Sequence, residues 1–148
     1  MSRQGMIAAI NHGKELPEFD SLEEAHLSLT GYRDACLAAL NKDVPVSLDL
    51  SLESLKLLET WFFEAKEPSM LPSGLPVASA IGFYYGQVLC ANGGYSWVVE
   101  PYAFAGGRYE IGVSRPLTRI MLTFGIRPTC AGNKRMQSLW RMAKQYAP

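Results

Sequence analysis

Ala78, Gly82, Gly86 and Cys90 recur every fourth residue inside the apolar stretch Leu75–Ala91. At helical pitch this spacing lines four small side chains along one face. An interior glycine costs a helix about 1 kcal/mol, so something must offset the two here. The expected reason is close approach of another backbone, whether helix or sheet. Pro76 suits a first helical position, where its missing N–H costs nothing. Asn92-Gly93-Gly94 tolerates the positive φ of a helix end, so a helix from about Pro76 to Ala91 is predicted. The stretch falls about one turn short of the roughly 20 residues of a membrane span. It also carries Tyr84 and Tyr85 centrally, where a spanning helix would keep tyrosines at its ends. A buried helix at the centre of the fold is expected, and no membrane partner.

The rest of the chain surrounds that helix. With 148 residues, 48% hydrophobic and 19% charged, it can bury one proper core and is read as a single domain over 1–148. Residues 1–19 lack a sustained period and contain Gly13 and Pro17, so they read as an irregular N-terminal arm. Asp20-Ser21-Leu22-Glu23 reads as a helix start with an acidic cap. Leu22, Ala25, Leu29, Tyr32, Cys36 and Leu40 then form one helical stripe that Asn41-Lys42 ends. Val44–Leu50 alternates around Pro45, giving a short edge strand or an extended connector. Ser51 can cap the next helix, whose core positions are Leu52, Leu55, Leu58, Trp61, Phe62 and Ala65. Tyr95–Ala103 and Arg108–Arg115 are β-branched and aromatic runs joined by Phe104-Ala105-Gly106-Gly107, an antiparallel hairpin. Leu117–Phe124 fits either a helical rhythm or a third strand at Ile120–Thr123. A last helix runs from Asn133 to about Tyr146, burying Met136, Leu139, Trp140 and Ala143. The fold class is α+β: a small antiparallel sheet built on the hairpin at about 95–115, packed against several helices.

Formal charge sums to zero but is unevenly spread. Residues 1–67 carry 6 Lys/Arg against 12 Asp/Glu, and residues 68–148 carry 8 against only Glu100 and Glu110, so the halves are −6 and +6. Either the halves complement each other or one charged face is the working surface. Cys36, Cys90 and Cys130 have no C-x-x-C spacing and are odd in number, which fits buried thiols in a reducing cytoplasm. The first ten residues turn polar too soon for a secretory signal.

The residues with chemical potential all admit structural roles. His12 and His26 have no carboxylates at ligand spacing, so no metal is expected. Cys90 reads as core, and Cys130, near Arg127 and Lys134, is the only thiol in a predicted loop. Gly93-Gly94 and Gly106-Gly107 are turn glycines without phosphate-loop spacing, and no cofactor is expected. Glu100 and Glu110 fall close to opposite each other on the hairpin. An acid–base pair of the glycosidase kind needs about 5–10 Å between carboxyl groups, but cross-strand salt bridges with Arg108, Arg115 and Arg119 are the simpler expectation.

Ile81-Gly82-Phe83-Tyr84-Tyr85-Gly86-Gln87-Val88-Leu89, Trp97-Val98-Val99, Gly106–Val113 and the closing Gly132-Asn133-Lys134-Arg135-Met136-Gln137-Ser138-Leu139-Trp140-Arg141 resemble a family of small bacterial domains with no assigned activity. In that family a helix reading G-x-Y-x-G-x-V-L precedes a Trp-bearing strand and a hairpin. The resemblance covers about residues 52–145. Small α+β domains of this kind are similar in class to immunity-type or toxin-neutralising partners, although fold does not fix function.

The functional expectation is therefore a non-catalytic protein-binding module, of the immunity or inhibitor type. Aromatic and Arg side chains dominate binding hot spots, which points to the hairpin face (Trp97, Tyr102, Arg108, Tyr109, Arg115) and the basic C-terminal helix (Arg135, Arg141). Burial of both Trp97 and Tyr109 would remove that surface. The alternative is a small-molecule or enzymatic pocket between helix 76–91 and the hairpin, lined by Tyr85, Glu100 and Arg115. A further alternative is nucleic-acid binding through Lys134, Arg135, Arg141 and Lys144 beside Trp140 and Tyr146.

Overall fold

The computed structural model describes residues 2–129 and 138–147. The central helix is α4 (Val77–Gly93), closed by Gly94 at φ 72°. Tyr84, Tyr85, Phe83, Ile81, Val88 and Leu89 are buried around it. Its small-residue face is met by backbone at Gly82, as the spacing predicts, but by the Leu122 and Trp97 side chains at Gly86. A Cβ on Gly82 would lie 2.6 Å from Gly125 Cα, and one on Gly86 would lie 2.7 Å from the Trp97 ring. Ala78 lends its carbonyl to the Ile126 N–H at 2.9 Å. Gly125 sits at φ 74° with no room for a side chain against Ala78. The glycine pair thus lets the chain after the sheet lie directly on the helix.

Three antiparallel strands in the order β1-β2-β3 form the sheet: β1 (Ser96–Pro101), β2 (Tyr109–Arg115) and β3 (Thr118–Met121). The register pairs Trp97 with Val113, Val99 with Ile111 and Glu100 with Glu110. Val113 pairs in turn with Ile120. Alternation puts Trp97, Val99, Tyr109, Ile111, Val113 and Ile120 on the face towards the helices, and Val98, Glu100, Glu110, Ser114 and Arg119 on the other. Of the two readings open for 117–124, the strand is the one formed. It starts at Thr118, after a tight turn in which Leu117 has φ 68°.

α2 (Leu22–Asp43) packs on α4 and beneath the sheet. Its cap sits one residue later than the sequence pattern places it. The Ser21 hydroxyl accepts the Glu24 N–H at 3.1 Å, while the Glu24 carboxylate accepts the Asp20 N–H at 3.3 Å. Ala25, Leu29, Cys36 and Leu40 are buried along the predicted stripe. Residues 44–50 form an extended connector without strand pairing. The Leu50 N–H donates to the Tyr84 hydroxyl at 3.0 Å, and the Ser51 hydroxyl accepts the Ser54 N–H at 3.1 Å ahead of α3 (Ser54–Glu64).

The irregular arm is a correction, because residues 3–15 form a helix, α1 (Arg3–Glu15), capped by Ser2 through the Gly5 N–H at 2.9 Å. Its anchor is tertiary: the Tyr102 hydroxyl donates to the Ala9 carbonyl at 2.9 Å, and Gly13 lies against Tyr102 and Ala105 where a Cβ would not fit. Met6, Ile7 and Ile10 stay exposed, so no buried apolar period marks this helix in the sequence. Residues 17–19 then run beside the start of β2. Tyr109 N–H donates to Pro17 O at 3.1 Å and Phe19 N–H to Gly107 O at 2.9 Å.

α5 (Ser138–Tyr146) packs on α3 and α4 with Leu139 and Ala143 buried. Its first N–H groups are received by a carboxylate from α3. Glu59, with no exposure to solvent, accepts Ser138 N–H at 2.9 Å and Leu139 N–H at 3.1 Å, as well as the Ser138 hydroxyl. A helix N-terminus is where a buried carboxylate is best tolerated. Among the described residues no helix is long and apolar enough to cross a membrane.

Candidate functional site

The hairpin's aromatic and basic side chains are drawn into the chain's own architecture. Tyr109 is buried against Phe19, with ring centroids 6.0 Å apart. Trp97 is half-buried over Gly86, and the Arg33 guanidinium stands 4.9 Å from its ring. Arg108 donates to Leu16 O at 2.7 Å and pairs with Glu18 at 3.3 Å, holding the 17–19 segment. Arg115 donates to Gly93 O at 2.8 Å and lies over Tyr95, while Tyr102 is the α1 anchor. These five residues therefore do not form one contiguous open patch. Arg141 is exposed on α5, and Arg135 lies outside the described residues, as do Lys134 and Cys130. Trp140 is covered by cations on both flanks, Lys56 at 4.0 Å and Lys144 at 4.6 Å, and donates to Glu53 at 3.2 Å. That ring is committed to the α3–α5 contact rather than to a stacking base.

Glu100 and Glu110 are direct register partners on the outer sheet face. Arg119 reaches across from β3 to Glu100 at 3.2 Å, the expected kind of cross-strand pair, and His12 of α1 approaches Glu110 at 3.7 Å. Burial holds the Glu110 carboxyl above its ordinary range, against the opposing pull of His12. Both acids, with Tyr102, Phe104 and Arg119, border a recess of about 390 Å³. Tyr85 is buried in the core, its hydroxyl without a hydrogen-bond partner among the described residues, and Tyr85, Glu100 and Arg115 do not share a cavity. Burial raises the Cys36 and Cys90 thiols above the ordinary thiol range, which makes them poor nucleophiles. Among the described residues, no three His, Cys, Asp or Glu side chains converge as metal ligands.

An open apolar feature lies where α2 passes β1. Tyr102 N–H donates to Arg108 O at 2.8 Å. Alternation then turns the main-chain groups of Glu100, Val98 and Ser96 towards β2, and those of Trp97 and Val99 outward. No described residue pairs that outer edge, and Pro101 ends it by lacking an N–H. Beside the edge, Leu22, His26, Leu27 and Val99 line a groove of about 550 Å³. Leu22 is 48% exposed and Leu27 is 70% exposed. Glu23 lines the groove as well, and the neighbouring Asp20 and Glu24 at the start of α2 are exposed and make no ion pair with a described residue.

A protein-family model described as "Uncharacterised protein YwmA" matches residues 18–147. The chain belongs to the YwmA family. A member from Bacillus subtilis (strain 168), "Uncharacterized protein YwmA", is 30% identical over 112 residues, covering 70% of this chain and 71% of the relative. No solved structure matches the chain. The family match begins at Glu18, so it takes in α2, the whole sheet and the groove between them, whereas α1 lies outside it.

Sequence reasoning missed the groove because it placed Leu22 on the core stripe. Leu27 carried the available signal: a leucine out of phase with that stripe, on the helix side otherwise given to Glu23, Glu24 and Thr30.

Proposed function

We propose that this YwmA-family chain is a non-catalytic protein-binding module that receives an extended segment of a partner along β1. The observation that carries the reading is the unpaired outer edge at Trp97 and Val99, lying beside the apolar floor of Leu22, Leu27 and Val99. A strand added to such an edge gains main-chain hydrogen bonds, and alternate side chains drop into the neighbouring groove. Pro101 fixes where the added strand must end. Glu23 on the groove wall, with Asp20 and Glu24 exposed at the same end of α2, favours a segment with apolar residues at alternate positions and a Lys or Arg. Occupying such a segment is how an inhibitor or immunity-type protein would act.

Selection from a displayed library of random 12-residue peptides tests this on the full chain. The expected result is enrichment of basic, alternately apolar peptides whose binding falls at least about tenfold in Leu27→Asp and is lost in Val99→Pro. Leu27 is exposed, so its substitution leaves the fold intact. Failure to enrich any sequence, or enriched peptides indifferent to Leu27→Asp, would overturn the proposal. Concentration-dependent dimerisation abolished by Leu27→Asp would also overturn it, by making a second copy the occupant.

A further inference from the structure

A third hollow, of about 280 Å³, opens between α2, α4 and β2 and shares no lining residue with the groove. Leu29, Phe83 and Ile111, all buried, form its floor. Phe19, Tyr32 and Phe124 form its walls. Native interiors keep few voids larger than a water molecule, and an apolar cavity of roughly 150 Å³ already takes up benzene. This space is larger, and no charged side chain lines it. An ionic group entering it would lose its water without gaining a partner.

The polar groups of the wall are mostly spent. The Tyr32 hydroxyl donates to Ser79 at 3.2 Å, and the Thr123 hydroxyl accepts the Ile111 N–H at 3.0 Å. Ser28 differs: it is exposed on α2, lines the cavity, and its hydroxyl bonds no described residue. Tyr32 and Phe83 meet edge to face at 5.9 Å. Four aromatic rings around one space favour another ring between them.

We infer that this cavity is a binding site for a small, neutral, ring-sized apolar molecule whose single polar group lies at Ser28. Ligand sites of this kind are mostly apolar with a few polar groups that orient the guest. The proposal is independent of strand addition at β1.

Indole, p-cresol and cyclohexanol, titrated into the full chain and followed by the methyl signals of Leu29 and Ile111, test it. At least one is expected to give saturable one-site shifts at these methyls. Indole-3-carboxylate is expected to bind at least about tenfold more weakly than indole, because its charge finds no partner. Leu29→Trp should fill the space and abolish the shifts. Ser28→Phe, at an exposed position that cannot disturb the core, should block the mouth and weaken binding at least about tenfold. Absence of saturable shifts with all three neutral probes would overturn the inference. So would shifts that survive Ser28→Phe unchanged, or equal affinity for the carboxylate.

Discussion

Glu59 places a carboxyl group in a core position, and its hydrogen-bond partners explain why that is tolerated. Both carboxylate oxygens are occupied by donors from the start of α5, where the helix field adds to the hydrogen bonds. Glu59→Gln would turn an NH2 towards these donors and is expected to cost about 2 kcal/mol, measured by urea denaturation. A loss below about 0.5 kcal/mol would show that the cap is not what secures α5. The folded-state affinity of Glu110 for the proton is raised by burial above an ordinary value of 4.5. The folded state therefore holds this proton more tightly than the unfolded one, and its contribution to stability is lost as pH rises from 4.5 through the raised value. Glu110→Gln should flatten the stability curve across that window and leave the protein no less stable at pH 7. Chemical denaturation of both proteins from pH 4 to 7 checks this. The position of Glu59 was open to a closer reading of the sequence, since it falls among Leu55, Leu58 and Phe62 on one helix face. A carboxylate there reads as solvent-facing until its donors, some 80 residues away in α5, are known.

At the scale of elements, two helical glycines make opposite predictions. Gly82 meets Gly125 backbone, whereas Gly31 in α2 has nothing within 4 Å of its missing side chain. Gly31→Ala should stabilise the protein by about 0.5–1 kcal/mol. Gly82→Ala should destabilise it by about 2–3 kcal/mol in spite of the same propensity gain, because backbone must move. Thermal unfolding of the two variants decides the matter, and similar effects of the same sign would contradict the packing account. Tyr102 is one of the contacts that hold α1: Tyr102→Phe removes its hydrogen bond to Ala9, worth about 1 kcal/mol. Amides of α1 should then exchange roughly fivefold faster while those of α4 do not change. The sequence made α2, α3, α4 and the hairpin legible because each buries a stripe or face with a regular period. α1 was not legible because its fixation comes from Tyr102, Gly13 and Ala105 rather than from an apolar stripe. β3 has only four residues, too few for alternation to be told from a helical rhythm.

For the whole molecule, the acidic and basic halves partly answer each other, through Glu18 with Arg108 and Glu67 with Arg127. What remains exposed at the front of α2 is acidic, and Glu23 lines the groove beside the β1 edge. Binding of a basic segment there should weaken as ionic strength rises, because exposed charges are screened over about 10 Å at 0.1 M salt. The candidate surface was only partly legible for a related reason. Composition identified aromatic and Arg side chains suited to binding, but Tyr102, Arg108, Tyr109 and Arg115 serve the chain's own α1, 17–19 segment and α4 end. An open strand edge is a property of pairing, and no single residue signals it. Amide hydrogen exchange at Trp97 and Val99 tests the central claim most directly. Both amides should exchange quickly in the free chain, although their neighbours Val98 and Glu100 are protected, and both should slow at least about tenfold when a selected peptide is bound. Protection of Trp97 and Val99 already present in the free chain, or unchanged by the bound peptide, would contradict strand addition at β1.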